Sequence, residues 1–194
     1  MAIAVSPPAV LPPDDRVAGS REVAISWQYQ HVGTDVGGDI PGSETLVATA
    51  VELAGRATHW PGMTRPAQRR WELMAATSTV EAWVIAWPPG GAIELHDHGD
   101  SAGAVAVAAG ELVETNIVSS ASGGVVLRTT TIPTNGSISF AGRHIHDIVN
   151  LGPVPAISVH VYAPRLTSMT YYRVVEGALE ARSTIRYRFG EVVP

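Results

Sequence analysis

The sequence predicts a mostly β protein, a jelly-roll barrel with a small helical segment near its N-terminus. Three observations carry that expectation. From about Arg70 onward, short apolar or alternating runs are separated by glycines and prolines, the pattern of an all-β sandwich or barrel. Before that, Ser43 to Ala54 repeats its apolar residues near the helical period of 3.6. Finally, a pair of histidines, His96 and His98, is answered much later in the chain by His146, as happens when strands return across a barrel.

Taken in order, residues 1–21 are rich in Pro, Asp and Ala and read as an extended arm, with 22–194 as a single domain. Glu22 to Tyr29 is compatible with either a strand or a short helix. Thr34 to Gly42 carries three glycines and a proline and reads as a loop. Ser43 is the expected cap of the helix, Leu46, Val47, Ala50, Val51, Leu53 and Ala54 its apolar stripe, and Gly55 its end. The character changes after Pro61 and Pro66. Ala82 to Trp87 is continuously apolar, which suits a strand buried on both faces. Further strands are expected over 104–108, 111–118, 125–132, 137–140, 147–150 and 157–162. Turns at Gly110, Gly123-Gly124, Asn135-Gly136 and Gly152-Pro153 divide them. Runs 171–175 and 183–189 add two more.

Composition narrows the function. A net charge of −5 with scattered basic residues argues against a nucleic-acid surface. With no cysteine, there are neither disulfides nor thiolate ligands, so a metal site must use His, Asp or Glu. The N-terminus has no basic and apolar segments of a signal peptide, and no apolar run approaches the ~20 residues of a membrane helix. A soluble, cytoplasmic protein without a membrane partner is expected.

The stretch Glu94-Leu-His-Asp-His98 carries the chemistry. Histidines two apart on an extended strand share a face, so their imidazoles can converge on one metal ion. His144 and His146 both offer a third ligand. His146 is favoured because Asp-Ile-Val-Asn150 follows it, leaving His144 at the rim. His-x-His with a distant third histidine is the ligand layout of a cupin-type barrel. Many cupins add a glutamate four or five positions after the pair, but Ala102 and Gly103 stand there. Three neutral imidazoles suit Fe, Zn, Cu or Ni. Glu94 reads as a rim residue rather than a fourth ligand. Ser158, His160 and Tyr162 alternate with Ile157, Val159 and Val161, so one face of that strand is polar. Inside a barrel those three would form a hydrogen-bond relay. Of the adjacent Arg69 and Arg70, Arg69 reads as solvated.

These motifs resemble the thiol dioxygenases, cysteine dioxygenase type I in particular. The matching stretches are His96-Asp-His-Gly-Asp-Ser101, His146-Asp-Ile-Val-Asn150 and Ser158-Val-His-Val-Tyr-Ala-Pro164. The resemblance implies Fe(II) held by His96, His98 and His146. The substrate is a small thiol, and both atoms of O2 go to its sulfur to form a sulfinic acid. Tyr162 would act at the reacting groups, held by His160 and Ser158. An interior arginine lies 26 positions before the first ligand in that family, and Arg70 occupies that place. The family often has a tyrosine two residues before this arginine, where this chain has Gln68. Relatives acting on 3-mercaptopropionate tend to carry glutamine in place of the arginine, so Arg70 points to L-cysteine. Animal members crosslink their tyrosine to a cysteine at the position of Gly103, so no crosslink forms here. The resemblance also implies a cis bond at Ala163–Pro164. Two other functions compete: oxidation of 3-mercaptopropionate or mercaptosuccinate, and a non-redox metal-binding cupin.

Each of His96→Ala, His98→Ala and His146→Ala is expected to abolish tight metal binding. Metal analysis of the purified variants checks this, and full occupancy in His146→Ala would remove it from the ligand set.

Overall fold

In the structure, a computed structural model, residues 40–60, 62–119, 125–188 and 191–193 are described. The expected arm over 1–21 and the element over 22–29 lie outside them, as does most of the loop before the helix.

The helix α1 spans Ser43–Ala57 and buries Leu46, Ala50, Ala54 and Ala57 along one stripe. It departs from expectation at both ends. Gly42, not Ser43, holds the cap position, and no side chain caps the helix. The helix also runs through Gly55. A glycine inside a helix costs only about 1 kcal/mol, and burial of Ala54 and Ala57 on either side outweighs that.

Twelve strands follow: β1 Arg70–Ala76, β2 Glu81–Trp87, β3 Ala92–His96, β4 Ala102–Ala109, β5 Glu111–Ser119, β6 Val125–Pro133, β7 Ser137–Phe140, β8 His146–Val149, β9 Ala156–Ala163, β10 Ser168–Val175, β11 Ala178–Arg188 and β12 Glu191–Val193. They form two sheets, of order β1-β2-β9-β4-β7 and β12-β11-β10-β3-β8-β5-β6. Every pairing is antiparallel. The expected barrel strands are present, and β1, β3 and β12 complete the set among the described residues. Among the described residues no helix is long and apolar enough to cross a membrane.

Strand alternation divides the core into two layers. Ala104 and Ala106 of β4 and Ile157, Val159 and Val161 of β9 lie under α1, and Ala82, Val84 and Ala86 of β2 continue the same layer. Small alanines there let the helix sit close to the sheet. The opposite face presents Trp87, Val105, Val107 and Tyr162 to Leu112, Ile132 and Ile148 of the second sheet. The middle of the first sheet, β2, β9 and β4, is therefore covered on both sides, and all eight residues of β9 are buried. A strand with both faces buried cannot leave its polar side chains in water, so Ser158, His160 and Tyr162 must find partners inside.

One side chain ties this frame to β3. Asn150 is fully buried just after β8. Its amide donates to the carbonyls of Trp87 (3.0 Å), Pro88 (3.3 Å) and Val154 (2.8 Å), and its Oδ1 accepts from Gly152 N (2.9 Å). Its backbone pairs with Gly90 and Gly91 as well. The turn that launches β3 is thus pinned to the end of β8. Asn150→Ala should leave these buried carbonyls short of a donor and lower stability by about 2–3 kcal/mol. A shift of the urea midpoint at unchanged slope would register it.

Candidate metal centre

His96 ends β3, and His98 lies two residues on, in the turn, rather than on the strand itself. What aims it is Asp97 between them. Asp97 Oδ1 accepts from Gly99 N (3.0 Å) and Thr170 N (3.2 Å), and Oδ2 accepts from the Tyr172 hydroxyl (2.6 Å). Asp97 N donates to Thr170 O (2.9 Å). The aspartate turns outward and fixes the bend, while the flanking imidazoles turn inward. His146 opens β8, directly opposite His96 in the pairing of β3 with β8.

The ligand atoms of His96, His98 and His146 lie within 4.8 Å of one another, and all three residues are buried. The Nε2 atoms of His96 and His98 are 3.1 Å apart. His96 Nδ1 donates to the carbonyl of Glu94 at 2.7 Å. A carbonyl only accepts, so the proton of His96 sits on Nδ1 and its Nε2 lone pair is free. His146 Nδ1 donates to Glu114 at 2.7 Å by the same logic, which leaves its Nε2 bare. That Nε2 is buried with no hydrogen-bond partner, as is His98 Nδ1. Burial lowers the pKa of all three imidazoles; His146 adds to this for His96, and His96 and His146 for His98, while Glu114 opposes it in part for His146. Neutral imidazoles with lone pairs directed together fit a metal ion.

His144, the other candidate for third ligand, sits 5.0 Å from His146 ring to ring, and its Nε2 bonds Glu114 (3.0 Å). Glu114, His144 and His146 also cluster closely enough to be considered as ligands. Hydrogen bonds already satisfy that second group. Burial alone would raise the pKa of Glu114, but the bonds from His144 and His146 outweigh it and bring it to about 2.

The polar face of β9 meets the histidines. Trp87 Nε1 donates to Ser158 Oγ (2.9 Å), Ser158 Oγ lies 2.9 Å from His160 Nε2, and His160 Nδ1 lies 3.3 Å from the Tyr162 hydroxyl. An indole N–H can only donate, so Ser158 Oγ accepts from Trp87; with the Ser158 proton on His160 Nε2, His160 donates from Nδ1 to Tyr162. The phenol proton is left facing His98 Nε2, 3.3 Å away. Burial takes His160 down to about 3 and pushes Tyr162 up, so both stay neutral.

The two arginines are placed the other way round from expectation. Arg70 pairs across the sheet with Ala86, which faces α1, so Arg70 points to that side. There it is exposed, bonding Gly62 O (3.4 Å) and Glu72. Arg69 takes the inner face, its guanidinium over the rings of Trp71 (5.1 Å) and Trp87 (5.5 Å). Burial lowers its pKa, and its charge acts on His96, His160 and Tyr162. Gln68 is exposed before β1. Glu94 is an exposed rim residue paired with Arg182 (3.1 Å).

Residues 47–174, well over half of the chain, match the family cysteine dioxygenase type I. The chain belongs to that family. A search of curated proteins gave no match. Among solved structures, TT1209 from Thermus thermophilus aligns at 19% identity over 53% of this chain and 89% of its own, with a TM-score of 0.44. Oxalate oxidase in complex with glycolate aligns at 18% identity over 57% of this chain and 58% of its own, TM-score 0.48. The cupin domain of Schizosaccharomyces pombe Cnp3 aligns at 12% identity over 50% and 61%, TM-score 0.43. As a cysteine dioxygenase type I member with a buried histidine triad, the protein is a cupin of the dioxygenase class with a centre suited to a metal. Ala163–Pro164 is cis, as the family resemblance implied.

Gly103 stands opposite both Tyr162 and Phe140 in its strand pairings. A Cβ there would come within 2.5 Å of Phe140 Cζ. The phenyl ring cannot simply swing away, because it is stacked between His98 (5.1 Å) and His144 (5.2 Å). Phe140 thus fills the space beside Gly103.

Sequence reading missed Glu114, Phe140 and Trp87. Glu114 shares its strand face with Leu112 and Asn116, an inward-facing charge in an apolar run, and that was the available signal. Gly103→Ala should displace Phe140 from His98, costing about 1–3 kcal/mol of stability and lowering metal occupancy. Thermal melting together with metal analysis checks both.

Proposed function

We propose that the protein is an Fe(II)-dependent thiol dioxygenase that converts L-cysteine and O2 into cysteine sulfinic acid. The observation that carries this is the convergence on one interior of three neutral imidazoles, a neutral tyrosine relay and a guanidinium. His96, His98 and His146 would hold the metal. When bound, Fe(II) would supply a Lewis acid and a redox partner for O2.

The chain's own residues account for binding and orientation. Arg69 takes the role first expected of Arg70. No carboxylate of the described residues pairs with it, so it is available to grip the carboxylate of the substrate in a bidentate fork. Trp71 and Trp87 hold the fork from its flat faces. With the carboxylate fixed, a thiol one or two carbons away can reach towards the histidines. Tyr162 presents its hydroxyl proton beside His98. His160 keeps that proton pointing outward, because its own N–H already occupies the phenol oxygen. Ser158 and Trp87 fix the tautomer of His160. Burial of the whole group excludes water, so these hydrogen bonds keep their strength.

O2 uptake and sulfinate formation, measured with cysteine, 3-mercaptopropionate, mercaptosuccinate and cysteamine, test the reading. Arg69→Ala should lower kcat/KM for cysteine about ten- to a hundredfold, the worth of a buried charge-assisted contact of roughly 1.5–3 kcal/mol. Arg70→Ala should stay within about twofold of the wild type, as befits an exposed ion pair, and both variants should keep their metal. Equal turnover of cysteamine would overturn the carboxylate grip. Turnover of 3-mercaptopropionate or mercaptosuccinate without cysteine would replace the substrate and keep the grip.

A further inference from the structure

Glu114 is a buried carboxylate that the relay does not use. It lies on β5, in the sheet opposite the tyrosine relay, and is 5% exposed. One of its oxygens, Oε1, accepts both His146 Nδ1 (2.7 Å) and His144 Nε2 (3.0 Å). The two histidines are two residues apart, and either could have supplied the third imidazole. Their geometry differs in one respect. His146 spends its Nδ1 on Glu114 and leaves Nε2 buried without a partner. His144 spends its Nε2 on the same oxygen and stands partly open to solvent, stacked on Phe140.

We propose that Glu114 is a positioning residue that selects His146 over His144 as the third ligand and supplies, from behind that ligand, the negative charge that this centre lacks among its ligands. The proposal rests on the metal-centre reading above. Its chemistry has two parts. By accepting from Nδ1, the carboxylate fixes the tautomer of His146, so that the lone pair on Nε2 is the one aimed inward. By holding a full charge 2.7 Å from the ring, it makes the imidazole a stronger donor, as carboxylates behind metal-bound histidines do. Many cupins place a glutamate among the ligands, four or five residues after the His-x-His pair. Here those positions are Ala102 and Gly103, and Gly103 has no room for a side chain beside Phe140. The charge enters instead from β5, behind the ligand rather than as one. The positive charge of a divalent metal ion would then face the Glu114 carboxylate from behind His146, in a pocket whose ligands are all neutral.

Titration of the full chain with Co(II), against a competing chelator, tests this through affinity and through the visible spectrum, which reports ligand field independently of activity. Glu114→Ala should weaken Co(II) binding about 10- to 100-fold, the usual cost of removing a partner of a ligating histidine. Glu114→Gln keeps the shape and an accepting oxygen but not the charge, and should weaken binding by about tenfold with a shifted spectrum. Glu114→Asp, which restores the charge, should recover affinity in part. His144→Ala removes no ligand and leaves Glu114 on His146, so it should weaken Co(II) binding less than Glu114→Ala does. Melting temperatures of the metal-free proteins check folding, and Glu114→Gln carries the test if Glu114→Ala does not fold. Wild-type affinity and spectrum in Glu114→Gln would overturn the proposal, provided His146→Ala loses Co(II). Retention of Co(II) by His146→Ala would instead overturn the histidine centre itself.

Discussion

The site depends on keeping three imidazoles uncharged, close together and unable to turn away. Burial does the first, because a protonated imidazole in this interior would lose its hydration and face two neighbours of like charge. Rotation is blocked by anchoring the far nitrogen where an acceptor is available: the Glu94 carbonyl for His96 and the Glu114 carboxylate for His146. His98 has no such anchor on Nδ1, and stacking on Phe140 takes its place. The Asp97 clasp, the Asn150 brace and the absence of a side chain at Gly103 all serve this arrangement. Each fixes the backbone or the space around one of the rings.

The same constraint explains why β9 is covered on both sides. A relay of Ser158, His160 and Tyr162 works only where water cannot compete for its hydrogen bonds. The edges of β9 are paired with β2 and β4, and its outer face is covered by α1. Ile157, Val159 and Val161 give α1 an apolar seat, and the alanines of β4 let it come close. The helix, remote from the histidines, is thereby part of what keeps the relay dry. Trp87 links the two layers: its ring packs in the inner core, its N–H begins the relay, and its face supports Arg69.

Much of this was legible in the chain. The β-rich region, the helix, the histidine pair with its distant partner and the polar face of β9 are all periodic or spacing signals. Such signals survive because side-chain direction repeats every two residues in a strand and every 3.6 in a helix. Arg69 and Arg70 show where this fails. The family resemblance, which puts an arginine 26 residues before the first ligand, selects Arg70. Faces, however, follow parity, and parity is lost at each irregularity. The pairing shifts between Leu73 and Ala75 in β1 and between Ile93 and His96 in β3. A single extra residue moves a side chain to the other face of the sheet.

By itself, then, the sequence determined the class of fold, the ligand type and the polar strand, because each is written in local alternation or in the absence of cysteine. The tertiary structure decided which arginine faces the histidines, which oxygen holds His146, and what fills the space beside Gly103. Those are contacts between strands, not within them: the register of the hairpin β1–β2, and the pairings of β5 with β8 and β4 with β7 across longer stretches of chain. Register across a sheet is set by the sum of packing on both faces, and no local stretch of residues contains that sum.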